Sequence, residues 1–468
     1  MSETRATGTP ARPRHVVWIT TDHMRWDFLG AHGQAAMHTP NLDALVAGGA
    51  SFSHCYANNP LCMPSRCSFM TGCYPQQTGV MDNGQELPAG FAPTVARCFG
   101  GGGYRTVQIG KLHFQNHQDN DLDPRARHDY GFDVLALSEE PGCYEDAYRT
   151  WLRGEHPDLV ETFTLPRPLS HERHREREEF RVLDAPWQAS HSGWVATQFR
   201  RYFSAWGPPR EPQFVHLGFY APHPPLNPTA EMFEPYRDCD VPALTRSPDD
   251  WNDAASLPAD VLGEYRRHFM AMITGVDFAI GMVVETLREQ GLLDETLILF
   301  GSDHGDACGD HGRIGKGTSY YEGIMRMPLV LHWPAGLAGG GRTIDGLVEL
   351  IDVLPTLLEL CHLPVPPVCG GRSYAAALAG GTAAETRDDC YAVHDRGDVM
   401  LRTAGRKYIR YAADGGSEVL YDLQADPGEF RNVAAEPDYA DDLRRLRDRA
   451  FARTLAASAS ILPKTGRF

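Results

Sequence analysis

At 468 residues the chain could form one large domain with an appendage or two to four smaller ones, and its 42% hydrophobic and 10% aromatic content suits an ordinary globular protein. A formal net charge of −17 argues against a nucleic-acid partner, which wants basic surface. The polar start Met1–Arg14 is not a secretory leader, no run approaches the roughly 18 apolar residues of a membrane span, and 11 cysteines without regular spacing read as reduced thiols, so a cytoplasmic protein with no membrane partner is expected.

In chain order, His15 to Thr20 is a short, β-branched apolar run that predicts a buried strand, ending in Thr21-Asp22-His23. Ligands gather at the carboxyl ends of strands in open parallel sheets, so Asp22 serves there equally well as a ligand or as a helix cap. Thr39-Pro40 opens a helix that Gly48-Gly49 closes, and Ser51 to Ala57 is a second strand. It leads through Asn58-Asn59-Pro60 to Cys62, which stands at the mouth of a helix whose first turn contains Pro64. A helix N-terminus offers free N–H groups to an anion. After the turn Met81-Asp82-Asn83-Gly84, a helix over Thr94 to Phe99 stops at Gly100 to Gly103. The strand Tyr104 to Ile109 follows and ends in Gly110-Lys111-Leu112-His113.

Residues 119–190 carry little pattern and read as an insertion, with the charged run His171 to Arg181 a solvated segment. A helix over Gly193 to Trp206 precedes the strand Phe214 to Tyr220, after which His223 is fixed between prolines in a non-helical loop. A long helix over Asp260 to Gln290 leads to the strand Thr296 to Phe300, which ends in Gly301-Ser302-Asp303-His304 shortly before Lys316. Pro328 to Trp333 is a strand and Leu350 to Leu360 a helix. Val399 to Tyr411 and Glu418 to Leu423 predict a hairpin, and Asp438 to Leu455 a terminal helix. This alternation predicts an α/β domain over 1–380 and a small α+β subdomain over 381–468. Among 44 basic residues only Lys111, Lys316, Lys407 and Lys464 are lysine, which singles out positions where a compact point charge is wanted.

Cys62-x-Pro64-x-Arg66 followed by Thr71-Gly72 resembles the signature of the type I, formylglycine-dependent sulfatases of the alkaline phosphatase superfamily. The strand-end residues follow that family's order, the tail from Leu420-Tyr421-Asp422-Leu423 to Glu429 is similar to its C-terminal region, and two of the four lysines fall on its motif lysines. The pattern is close to that of the branch of arylsulfatases, choline-sulfatases and phosphonate monoester hydrolases. The resemblance implies a large mixed, mostly parallel sheet sandwiched by helices, with a C-terminal subdomain of antiparallel strands and a terminal helix.

It also implies a sulfatase acting on small organic sulfate esters. Cys62 would be converted to formylglycine by a formylglycine-generating enzyme. Asp22, Asp303, His304 and position 62 would hold one divalent cation, Ca²⁺ foremost and Mn²⁺ as the alternative. Position 23 is His where many sulfatases show a second metal aspartate, and imidazole suits Mn²⁺ or Zn²⁺ better than Ca²⁺. Arg66 would hold the formylglycine, Lys111 and Lys316 would neutralise sulfate oxygens, and His223 would protonate the leaving alcohol. His113 would take the proton that releases sulfate, and Asn83 would contact the ligand. A homo-oligomer is also implied. A phosphonate monoester or phosphodiester hydrolase on the same machinery is the alternative, because related enzymes share the Cys-Met-Pro-Ser-Arg run and the Asp-His pair. A non-catalytic metal-binding protein with unmodified Cys62 is a third reading.

Overall fold

The computed structural model describes residues 12–116, 127–143, 145–164, 180–205, 209–245, 257–317, 319–337, 339–380, 387–412 and 415–458. Most of the charged run His171 to Arg181, the end of the helix expected at Trp206, and Asp414 of the expected hairpin turn lie outside them.

The large sheet is built from β1 (His15–Thr21), β2 (Ala50–Tyr56), β3 (Arg105–Gly110), β4 (Val134–Leu137), β5 (Gln213–Gly218), β6 (Thr296–Ser302), β7 (Arg326–Met327), β8 (Leu329–His332) and β9 (Arg342–Glu349). Its order is β4-β3-β5-β1-β6-β8-β2-β7, with β9 on β2. β4, β3, β5, β1 and β6 run parallel; β8 is antiparallel to β6 and to β2, so β2 runs in the direction of the parallel set. β1 is paired on both edges and all seven of its residues are buried. A central parallel strand covered on both faces reads as a continuous apolar run, which is why β1 was visible in the sequence.

Alternate residues of the central strands point into two different cores. Val16, Trp18, Leu297 and Leu299 join Phe69, Met70, Phe99, Leu354 and Leu357 on one face. Val17, Ile19, Ile298 and Phe300 join Phe199, Phe269, Ile273, Val276 and Ile280 on the other. The second set includes the long helix Ala259–Glu289, which by length and composition could cross a membrane but here has 67% of its most apolar window buried in the fold.

β10 (Asp389–Val393), β11 (Val399–Thr403), β12 (Arg406–Tyr411) and β13 (Ser417–Asp422) form a separate antiparallel sheet covered by the terminal helix Ala440–Ala457. The expected two-strand hairpin is therefore corrected. Val399 to Tyr411 is two strands that reverse at Ala404-Gly405, and β10 completes the sheet. Pro355 stands in the first turn of the helix Val353–Leu360, where its missing N–H breaks no bond, so that helix survives it.

Candidate active site

Five strands of one direction, β1, β2, β3, β5 and β6, end at the same edge of the sheet, and each delivers polar side chains there. β2 does so through α2 (Cys62–Thr71), whose ten residues are all buried and whose end is closed by Gly72 at φ 68°. The first backbone N–H beyond Cys62 is capped from outside the helix: Met63 donates to Asn83 Oδ1 at 3.0 Å. β3 turns sharply into the site because Gly110 takes φ 90° and Gly218 lies against the Lys111 carbonyl, where a Cβ would collide. The Lys111 N–H then donates to Gly218 O at 2.8 Å.

Cys62 lies at the convergence. Its Sγ is 2.5 Å from Lys316 Nζ, 3.1 Å from His304 Nε2 and 3.6 Å from Asp22 Oδ1. Burial, and then the Asp22 carboxylate, push the thiol up to about 11 against the opposing pull of Lys316. At neutral pH it is a protonated thiol and a weak nucleophile.

Three cations balance two buried carboxylates around it. Lys111 Nζ is 2.8 Å from Asp22 Oδ2, Arg66 Nε is 2.6 Å from Asp303 Oδ2, and Arg66 also approaches Asp22 Oδ2 at 3.5 Å. Burial works to raise the Asp22 carboxyl, but Lys111, His223, Arg66 and Lys316 hold it well below the usual range. Burial works against the Lys111 charge, and Asp22 more than restores it, so that pKa is raised.

Three imidazoles are oriented in the same manner. His23 Nδ1 meets Asp306 Oδ2 at 2.7 Å, His304 Nδ1 meets Gly305 O at 2.8 Å, and His223 Nδ1 meets Pro224 O at 2.6 Å. With Nδ1–H so engaged, each ring keeps the Nε2 lone pair. His23 Nε2 faces Lys316 Nζ at 2.9 Å, and the His23 ring packs 4.6 Å from His304 and 4.4 Å from His223. Burial first, then neighbouring positive charge, lower the pKa of His23 and of His223, whose first charged neighbour is His23 itself.

One ligand atom each from Asp22, His23, Cys62 and His304 lies within 4.8 Å of the others, a spacing one cation can bridge. A carboxylate or carbonyl behind a histidine's other nitrogen is the usual support for a ligating imidazole.

A family profile described as Sulfatase matches residues 14–363. The chain belongs to the sulfatase family. A second profile, described as N-sulphoglucosamine sulphohydrolase, C-terminal, matches residues 309–454. The sulfatase is 28% identical over 466 residues to an arylsulfatase of Clostridium perfringens, covering 92% of each chain. It is also 28% identical over 505 residues to the multifunctional alkaline phosphatase superfamily protein PehA of Trinickia caryophylli, covering 95% of each. Among solved structures it resembles the phosphonate monoester hydrolase of Agrobacterium radiobacter, with a TM-score of 0.81, 25% identity, and coverage of 95% of this chain and 96% of that one. Its fold is thus alkaline-phosphatase-like, and family membership makes this sulfatase a sulfuric ester hydrolase.

Of the positions expected from sequence, the structure gathers Asp22, Cys62, Arg66, Lys111, His223, Asp303, His304 and Lys316 around one point. Asp303 joins through its carboxylate on Arg66 and its Oδ1, which accepts the His304 N–H at 2.9 Å, rather than through the four-residue cluster. His113 is buried two residues past Lys111 with φ 60°, its N–H on Glu139 Oε1 at 3.1 Å. Asn83 is exposed, with its Oδ1 committed to the N-terminus of α2.

Sequence reasoning left His23 without a role and overlooked Asp306 and Tyr220. Asp306 receives the His23 ring and the Tyr265 hydroxyl at 3.0 Å, and the Tyr220 ring lies 4.9 Å beneath Lys111 Nζ. The signal for Asp306 was its place in Asp303-His304-Gly305-Asp306. For Tyr220 there was none beyond a strand end.

Proposed function

We propose that this sulfatase hydrolyses sulfate esters of small organic alcohols at a nucleophile made from Cys62, with one divalent cation in the Asp22 cluster. The observation that carries this reading is the setting of Cys62. It is a buried thiol at a helix mouth, flanked by Lys316, His304 and Asp22, with Lys111 and Arg66 completing a ring of fixed positive charge. Such a ring favours an anion. The raised thiol pKa explains why the cysteine serves better as a precursor than as a thiolate.

Formylglycine would supply a hydrated aldehyde as the oxygen nucleophile, and the cation would supply Lewis acidity to it and to a sulfate oxygen. Asp22, His304, His23 and position 62 would hold the ion, with Asp303 fixed beside them by Arg66. Two imidazoles in this set favour Mn²⁺ over the Ca²⁺ of an all-oxygen site. The residues of the chain do the rest. Lys111 and Lys316 neutralise the sulfate oxygens, and Arg66 fixes Asp22 and Asp303 against their mutual repulsion. His223, with Nδ1–H on Pro224 O, holds Nε2 free to carry a proton to the leaving alcohol. Burial and neighbouring positive charge lower its pKa, and the negative charge of the bound ester would offset them, so that Nε2 takes that proton from solvent as the substrate binds. His113 is assigned the second proton transfer from its position past Lys111.

A second reading, a phosphonate monoester or phosphodiester hydrolase, is favoured by the likeness to the Agrobacterium enzyme and to the multifunctional Trinickia protein. Turnover of 4-nitrophenyl sulfate and of 4-nitrophenyl phenylphosphonate separates the two. A kcat/KM for the phosphonate about a hundredfold above that for the sulfate, some 2.7 kcal/mol of transition-state preference, would overturn the first. Intact mass of the peptide spanning Cys62, from protein made in its native host, tests the nucleophile. Unmodified cysteine there would sink both hydrolase mechanisms and leave the non-catalytic reading. Metal analysis after chelation and dialysis against Ca²⁺ or Mn²⁺ tests the ion. Retention of Ca²⁺ in preference to Mn²⁺ would remove His23 from the ligand set.

A further inference from the structure

Beside the catalytic edge lies a pocket walled mainly by Tyr148, Phe163, Leu183, Met232 and Met272. It is separated from the Cys62 cluster by Tyr220, whose ring is shared: Lys111 Nζ lies 4.9 Å from it, the His223 ring packs 4.7 Å away, and Tyr220 also lines the cavity. Ala221 and Pro225, which flank His223 in its loop, are cavity wall as well. An ester with its sulfate on Lys111 and its bridging oxygen at His223 therefore has its organic group at the cavity's edge.

Polar side chains interrupt the mostly apolar lining, and two of them, His191 and Asn227, hold buried atoms without a hydrogen-bond partner. His191 is 7% exposed, and neither ring nitrogen makes a well-formed hydrogen bond, with the Ser138 backbone beside the ring. Its pKa is pushed down to about 3 by burial, with Lys111 adding to the effect, so it is a neutral ring with one N–H and one lone pair. Asn227 Oδ1 faces the same cavity, buried and without a hydrogen-bond partner. Buried polar groups of this kind are ordinarily satisfied, so a pair left open in an apolar cavity is suited to a ligand that supplies the missing bonds. A hydroxyl can donate to Asn227 and accept from His191.

We propose that this cavity is the leaving-group subsite, and that the substrates are sulfate esters of aryl alcohols carrying a second hydroxyl distal to the ester. This rests on the hydrolase reading above and names its substrate class.

The test uses the mature enzyme with 4-(hydroxymethyl)phenyl sulfate, 4-methylphenyl sulfate and methyl sulfate. Thr162→Trp, at the half-buried rim of the cavity, should lower kcat/KM on both aryl esters at least about tenfold more than on methyl sulfate. His191→Phe, which keeps the ring packing, should cost about tenfold on the hydroxymethyl ester relative to the methyl one. Equal losses on all three esters in Thr162→Trp, or an unchanged ratio within the aryl pair in His191→Phe, would overturn the proposal. Calorimetry with 4-(hydroxymethyl)phenol distinguishes the two levels. Binding that is lost in Thr162→Trp, in an enzyme that hydrolyses no sulfate ester, would uphold the cavity and reject the reaction. No binding to an enzyme that does hydrolyse sulfate esters would reject the cavity alone.

Discussion

Arg66 makes all of its contacts from a side chain with no exposure to solvent: Asp303 at 2.6 Å, Asp22 at 3.5 Å, and the carbonyls of Lys111 and Thr21 at 3.2 and 3.3 Å. Burial opposes its charge, but Asp303 and Asp22 raise its pKa, so it stays cationic at any working pH. Removing one partner of such a network leaves carboxylates buried without a counter-charge. Arg66→Ala should therefore lose about 3–5 kcal/mol of unfolding free energy as well as activity. Urea denaturation checks this, and a loss below about 1 kcal/mol would mean that water or another cation replaces the guanidinium. Arg66 was legible in sequence as part of the Cys62 signature. Its tie to two strand ends was not, because Asp22 and Asp303 are distant in the chain and only the sheet brings them together.

Just beneath the site, the strands are joined by side chains as well as by backbone. His216 of β5 bonds Gln108 of β3 at 2.5 Å through Nδ1 and Thr20 of β1 at 3.0 Å through Nε2. Burial lowers this imidazole's pKa well below its usual value, so one nitrogen donates to Gln108 and the other accepts from Thr20. The strands it joins deliver Lys111, His223 and Asp22. His216→Phe fills a similar volume but strands an amide oxygen and a hydroxyl, at a cost of about 1–3 kcal/mol. Thermal unfolding should show the loss. A more stable variant would show that the three-strand network is replaceable by packing alone. The sequence marked β1, β3 and β5 by their apolar runs, and gave His216 no distinction because its partners lie on neighbouring strands.

At the scale of the molecule, the C-terminal sheet is tied to the loop and helix around Tyr320 and Glu322 by Lys407, the third of the rare lysines. Fully buried on β12, it reaches Glu429 at 2.6 Å, Glu322 at 2.8 Å and the Tyr320 carbonyl at 2.9 Å. Against the effect of burial, Lys407 holds the Glu322 carboxyl below its usual range. Lys407→Met should cost about 3–5 kcal/mol, read by urea unfolding, because two neighbouring carboxylates lose their shared cation. If limited proteolysis and stability were both unaffected, the ion cluster would not be what holds the two parts together.

Buried histidines set the pH dependence. Burial first, then Arg14, push His15 down to about 4, and His216 is lowered as well. The unfolded chain takes up protons near 6.5 that the fold excludes, so stability is full above that pH and is lost as pH falls toward 4. Each such group contributes up to about 1.4 kcal/mol per pH unit across that window. The urea midpoint should fall from pH 7 to pH 5 at constant slope. A midpoint that rises over the same interval contradicts the assignment.

The sequence by itself determined the alternation of strands and helices, the residues at the strand ends, and the presence of a helix at Cys62, because each is a local pattern of apolar period and capping. Its resemblance to a family supplied the chemistry those residues share. Only the tertiary structure decided that β2 runs with the parallel set, although β7 and β8 pair with it antiparallel, which aims α2 at the common edge. It also decided that His23 shares the cluster with Asp22, Cys62 and His304, that Asn83 is spent on capping Met63, and that Tyr220 divides the charged site from an apolar cavity. These depend on which side chains converge from far apart in the chain, and no local pattern encodes that distance.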